Sequence, residues 1–244
     1  MITTVDKQET QNWDFLREEL ESSKILRLTG FFNLEDLKYI AKMSKSETSS
    51  LFRQHQRDPF VVDPNKVKAK QKVPHLFEKM NFVRETTSKQ ILDVYRQDSN
   101  SYLAGHPIAL LEDPIYEKHS KMFFDMWSIY EKLVPSAPGS QEYRMHLLKY
   151  HNNSHFGIHK HNYHPQKYGL ILLVSQRGKD YDGGGTKFYY TDKSQNLDFI
   201  DTSHIENCGD LFIFKYDLVH SVNKTICSED QVGRLTAIMP WHGN

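Results

Sequence analysis

The chain has 244 residues, 38% of them hydrophobic, with Lys+Arg and Asp+Glu equal at 31 each and a formal net charge of zero. That length supports a real core in one large domain or two small ones, and the charge balance argues against general binding to nucleic acid or an anionic membrane, which needs a basic excess. Cys208 and Cys227 make no disulfide framework, so a reducing, cytoplasmic setting is expected.

The start, "MITTVDKQETQNWDF", is polar and does not read as a secretory signal, and no apolar run approaches the length of a membrane span. Next, "KILRLTGFFNLEDLKYIAKM" reads as a strand, a turn and a helix. Ile25, Leu26 and Leu28 form the strand and Gly30 breaks it. Asn33 is placed to cap the helix, with Asp36 three residues on in the manner of a capping box. Leu37, Ile40, Ala41 and Met43 supply its apolar face. "DPNKVKAKQKVP", residues 63–74, is polar, basic and bracketed by prolines. It reads as a solvated loop, with a lid over a site as the sharper alternative.

From Asp113 to Leu133 the spacing is helical. Ile115, Met122, Phe123, Met126, Trp127, Tyr130 and Leu133 make one broad stripe, the mark of a helix that backs a sheet. After Glu142 the pattern changes. "RMHLLKYH", "GLILLVSQ", "TKFYYTD", "LDFID", "DLFIFKYD" and "RLTAIMPW" are short apolar or alternating runs divided by Gly, Asn, Asp and Pro. They predict antiparallel strands joined by tight turns, and a barrel or jelly roll is the natural closure for so many. The expected fold is α+β, in one domain spanning 1–244. Residues 1–140 would be mainly helical support with a lid, and 141–244 a double-stranded β-helix (jelly-roll, cupin-like) core.

Four features of this β half bear on chemistry. His159 and His161, in "HKH", stand two apart, so on a strand both point to one face. "DYDGGGTKFYY" is a glycine-rich turn into an aromatic strand. It lacks the Lys-Ser/Thr and the helix of a phosphate loop. "GDLFIFKYDLVHSV" runs from Asp210 through an apolar strand to His220. "GRLTAIMPW" opens a last strand with Arg234.

This order resembles the iron(II)- and 2-oxoglutarate-dependent oxygenases, above all their phytanoyl-CoA-dioxygenase-like and small-molecule hydroxylase or halogenase branches. The resemblance implies iron(II), 2-oxoglutarate and O2 as cofactor and cosubstrates. It implies His159 and His220 as iron ligands and Arg234 as the grip on the distal carboxylate of 2-oxoglutarate. A guanidinium suits that grip because it offers paired donors and keeps its charge. Tyr150 matches a position lining the cosubstrate pocket, and Thr236 shares a strand face with Arg234.

The departure is His161, which stands where those enzymes have Asp or Glu. No acid occurs between Glu142 and Asp180 to replace it. His161 is either the third ligand of a three-histidine site, or a residue turned aside from a vacant position, or part of a site that has lost its metal. The expected activity is hydroxylation of a C–H bond in a small polar metabolite such as an amino acid. The alternatives are radical halogenation, a degenerate jelly roll that only binds a ligand, and a cupin-like three-histidine dioxygenase that needs no 2-oxoglutarate. Arg53, Arg57, His75 and Arg84 are unranked candidates for holding substrate.

Overall fold

The computed structural model describes residues 1–8, 12–22, 25–44, 53–54, 101–104, 114–140, 143, 145–161, 166–191 and 197–240. The chain runs β1 (Ile2–Asp6), α1 (Trp13–Glu21), β2 (Ile25–Thr29), α2 (Leu34–Ser44), β3 (Arg53–Gln54), β4 (Ser101–Ala104) and α3 (Pro114–Leu133). It continues with β5 (His146–Tyr150), β6 (Phe156–His159), β7 (Tyr168–Leu173), β8 (Thr186–Thr191), β9 (Leu197–Asp201), β10 (Leu211–Lys215), β11 (His220–Val222) and β12 (Arg234–Ile238). The segment 63–74 lies outside the described residues, as do Arg57, His75, Arg84 and the side chain of Arg53.

Most helix signals read from the sequence hold, but Met43, expected on the apolar face of α2, is exposed, and the Asp36 carboxylate pairs with Lys118 of α3. Asn33 Oδ1 accepts from the backbone N–H of Glu35 at 2.9 Å and of Asp36 at 3.3 Å, capping α2. Asn12 does the same for α1, accepting from Phe15 N–H at 3.0 Å. Pro114 opens α3, where its missing N–H costs no helical hydrogen bond. The α3 stripe is buried at Met122, Met126, Trp127, Tyr130 and Leu133.

The strands form two sheets, an eight-stranded one in the order β1-β2-β10-β7-β12-β5-β4-β3 and a four-stranded one in the order β6-β11-β8-β9. Among the strands of the described residues, β1 and β2 pair in parallel and the other pairs are antiparallel. The fold is thus α+β, with two mostly antiparallel sheets and three helices among the described residues. From β5 onward the chain passes back and forth between the sheets, apart from the β8–β9 pair within the small one. Strands β5, β7, β10 and β12 enter the large sheet, and β6, β8, β9 and β11 the small one. The N-terminal part adds β1 to β4 to the large sheet besides its helices; β2 is the strand expected at Ile25, Leu26 and Leu28, whereas the polar start of the chain gave no reason to expect β1.

All of β7 is buried, because both faces of the large sheet are covered. Leu170, Leu172, Leu211, Ile213, Leu235 and Ala237 pack with the helices through Leu16, Leu20, Leu37, Ile40, Met126 and Tyr130. On the other face Ile171, Leu173, Phe212 and Phe214 meet Phe188 of the small sheet. Each such side chain contributes about 1.5–3 kcal/mol on burial. Arg234, Thr236 and Ile238 alternate with Leu235 and Ala237 on β12, which turns Arg234 toward this inner layer. Among the described residues no helix is long and apolar enough to cross a membrane.

Candidate active site

The small sheet brings the histidines together. Strand β11 lies between β6 and β8, so position 220 pairs with position 159 on one side and with Phe188 on the other. The pairing with β6 is irregular between His220 and Val222, and such a break re-aims side chains at the end of a ladder. Backbone register therefore sets positions 159 and 220 opposite each other. The side chain of His159 lies outside the described residues.

His220 is buried, and its Nδ1 lies 2.8 Å from the carbonyl oxygen of Leu218. A carbonyl only accepts, so Nδ1 carries the hydrogen and the lone pair is on Nε2, the tautomer of a metal-binding imidazole. The ring is held by Phe214 at 4.9 Å in an edge contact and by Phe188 at 6.1 Å.

His161 follows the last residue of β6 by two. Its ring stacks on Tyr216 at 4.5 Å and 17° and stands 5.2 Å from the His220 ring. Two imidazoles bound to one tetrahedral ion at ~2.0–2.1 Å place their ring centres about 5 Å apart. The observed separation fits a shared ion. Among the described residues no three His, Cys, Asp or Glu side chains are arranged to hold a metal; that set includes His161 and His220 but not the side chain of His159.

Arg234 starts β12 opposite Tyr150, the last residue of β5. Gly233 makes this approach possible. Its φ is +91°, and a Cβ there would lie 2.4 Å from the Tyr150 carbonyl oxygen. The guanidinium sits 5.6 Å from the centre of the Tyr150 ring, and both residues are buried. Thr236, two residues along the same face, is buried as well.

The arginine has a partner that sequence reasoning missed. Glu206 takes Arg234 Nε on Oε2 at 3.0 Å and Nη2 on Oε1 at 2.9 Å, and Nη2 also donates to Thr186 Oγ1 at 2.9 Å. Glu206 further accepts from the Thr202 hydroxyl at 2.6 Å, the Thr186 backbone N–H at 3.0 Å and the Tyr181 hydroxyl at 3.2 Å. Side-chain exposure is 1% for Arg234 and 0% for Glu206. Burial alone would push the Glu206 carboxyl up, but the Arg234 charge and these hydrogen bonds hold it below the usual glutamate value. Burial likewise works to lower the Arg234 pKa, and the Glu206 charge more than offsets it. Nη1 of Arg234 donates to no group among the described residues. Only a second arginine or a lysine nearby would have hinted at Glu206 in sequence, and none stands near it there.

Nearby polar residues have structural work. Asp210 pairs with Arg27 of β2 at 2.8 Å and accepts from Asn207 N–H, closing the turn before β10. Tyr181 joins the Glu206 network. Lys149 donates to Ser44 O at 2.6 Å, tying β5 to the end of α2.

The sequence matches no protein-family model and no curated protein. Solved structures do match. A prolyl-4-hydroxylase from Pseudomonas putida superposes with a TM-score of 0.56 at 9% identity, covering 96% of this chain and 100% of that one. A Trichoplax adhaerens prolyl hydroxylase, in complex with a hypoxia inducible factor oxygen degradation domain peptide fragment, gives 0.56 at 12% identity over 94% and 88%. An oxidoreductase of the 2OG-Fe(II) oxygenase family from Burkholderia pseudomallei gives 0.52 at 9% identity over 97% and 93%. This chain shares its fold with those oxygenases.

Proposed function

We propose that this protein is an iron(II)- and 2-oxoglutarate-dependent oxygenase on a double-stranded β-helix, hydroxylating a C–H bond of a small polar metabolite such as an amino acid. The observation that carries this is the register of β6, β11 and β8, which sets position 159 opposite His220 while His161 faces His220 across 5.2 Å. The repeated passage of β5 to β12 between two facing sheets supports the jelly-roll reading. The shared fold supports the choice of cofactor and cosubstrates.

The residues fit the group they are asked to hold. His159, His161 and His220 would bind the metal, with the His220 Nε2 lone pair fixed by the Nδ1 hydrogen bond to Leu218. Arg234 would hold the distal carboxylate of 2-oxoglutarate through Nη1, beside Tyr150 and Thr236. Iron bound with 2-oxoglutarate and O2 would supply the oxidising power, with 2-oxoglutarate giving succinate and CO2, one oxygen atom of O2 ending in the succinate and the other in the substrate. Phe188 and Phe214 cover His220 on the inner side and keep water from it. Halide transfer needs an open place beside the metal, and the His161 ring takes up that side of His220.

Anaerobic titration of iron(II) and 2-oxoglutarate into the protein tests the reading. A weak visible charge-transfer band that needs both is expected; iron uptake without a band on adding 2-oxoglutarate would defeat it. That second result belongs to a three-histidine oxygenase independent of 2-oxoglutarate. Glu206 favours this rival in one respect, since it already occupies the Nε and Nη2 edge of Arg234.

A further inference from the structure

The buried Arg234–Glu206 pair carries an inference that rests on the reading of the pocket as one for iron and 2-oxoglutarate. We propose that Glu206 is a specificity-determining residue of the cosubstrate pocket, cancelling the Arg234 charge to match the neutral His161 at the metal end. The pocket then holds a doubly negative ligand at zero net charge, more loosely and with less preference over a singly negative one than Arg234 alone would give.

The charges add simply. Metal-bound imidazoles are neutral, so a doubly positive ion and a doubly negative 2-oxoglutarate sum to zero. The Arg234–Glu206 pair adds nothing. Were Glu206 absent, the closed and water-poor interior would carry one uncompensated positive charge. An acid at position 161 with Glu206 in place would leave one negative charge too many. A negative charge at either end balances the pocket, and this chain has it at position 206.

The geometry suits this role. Glu206 accepts from five donors, which fixes it as a carboxylate where it cannot turn away. Its two oxygens take the Nε and Nη2 side of the guanidinium and leave Nη1, so the ligand's distal carboxylate meets one nitrogen rather than a bidentate fork. Thr186 connects the pair to the histidines. It bonds Arg234 and Glu206, and it lies on β8 two residues from Phe188, the cross-strand partner of His220.

A charge-swap cycle on the full chain tests the proposal. Wild type, Glu206→Gln, His161→Asp and the double variant are loaded with Mn(II) and titrated calorimetrically with 2-oxoglutarate. They are also titrated with 2-oxobutanoate, which keeps the chelating end and lacks the distal carboxylate. One unit charge within about 8 Å at an effective dielectric of ~20 changes binding roughly tenfold or more. Glu206→Gln is therefore expected to bind 2-oxoglutarate at least about tenfold more tightly, with a smaller gain for 2-oxobutanoate. His161→Asp should bind 2-oxoglutarate about tenfold more weakly, and the double variant should return near wild type. Equal or weaker 2-oxoglutarate binding by Glu206→Gln, or an equal gain for both ligands, overturns the proposal while the oxygenase reading stands. If no form binds 2-oxoglutarate, the oxygenase reading falls and takes this with it. Should Glu206→Gln fail to fold by circular dichroism, the His161→Asp arm decides, and unchanged or tighter binding there refutes the charge argument.

Discussion

The ring of Phe214 lies directly across Gly169: a Cβ at position 169 would stand 2.6 Å from the ring. The two residues are cross-strand partners on β10 and β7, and the missing side chain lets the ring lie flat and meet His220 at 4.9 Å. Gly169→Ala should therefore act at a distance. Overpacking of this kind costs about 1–3 kcal/mol. The expected outcome is a lower Tm together with weaker metal binding, because Phe214 packs against Phe188 and His220 and a displaced ring presses on both. Calorimetry with Mn(II) checks this, and unchanged affinity would show that the ring does not set the His220 position.

His220→Ala and His159→Ala should each abolish stoichiometric iron binding without unfolding the chain. The basis is their opposed register across β6 and β11. Metal analysis after anaerobic reconstitution gives the answer, and full occupancy in either variant refutes the ligand assignment.

Arg234→Ala should damage the fold as well as the pocket. It leaves Glu206, fully buried, without its counter-charge. Breaking a buried pair from one side costs about 3–5 kcal/mol, which in a chain of this size lowers Tm by roughly 6–20 °C. Replacing both partners by apolar residues, as in Arg234→Met with Glu206→Leu, should restore much of the loss while 2-oxoglutarate binding stays absent. Thermal melts and ligand titrations on the same samples separate stability from binding.

The pair also predicts a direction of acid sensitivity. Glu206 has its folded pKa below the unfolded value, near 4.5. Its contribution is therefore complete above that pH and is lost as pH falls through the lower folded value. Asp210 runs the other way, since burial pushes its carboxyl up and the folded state takes a proton more readily than the unfolded one. Glu206 has the larger set of partners, so Tm should fall steeply below about pH 4.5. In Glu206→Gln that fall should be shallower; an identical acid profile would remove Glu206 from the cause.

How much of this was legible in the sequence follows from the range of each signal. The α3 stripe, the Asn33 cap and the strands after Glu142 are local patterns, and they appear where the periodicity puts them. The place of His220 was readable because an apolar strand and a turn fix its distance from Asp210. Strand β1 was not, since its pairing with β2 is a tertiary contact that a polar sequence does not announce. The partners Arg27 and Asp210 are 183 residues apart, and Glu206 meets Arg234 across the space between two loops and a strand. Nothing in the local sequence marks an acid as the mate of a distant arginine. Position 161 was read by strand alternation, yet β6 ends at His159, so contacts with Tyr216 and His220 decide where its ring goes.

Those contacts make His161 the residue to test last. As a metal ligand, it should matter even though no acid stands in its place. Its ring is stacked on Tyr216 and faces His220 at the separation of two imidazoles on one ion. Loss of even an outer-sphere partner typically costs about 10- to 100-fold in metal affinity, so His161→Gly should cost at least that. A residue that only stacks on Tyr216 should cost little affinity and show as a modest drop in Tm. Added imidazole separates the cases further. The glycine variant leaves room for a free imidazole between Tyr216 and the metal, and a ligand role predicts that millimolar imidazole restores metal binding. An affinity within about threefold of wild type, with no response to imidazole, would return His161 to a stacking role. The metal would then be held by His159, His220 and groups yet to be assigned.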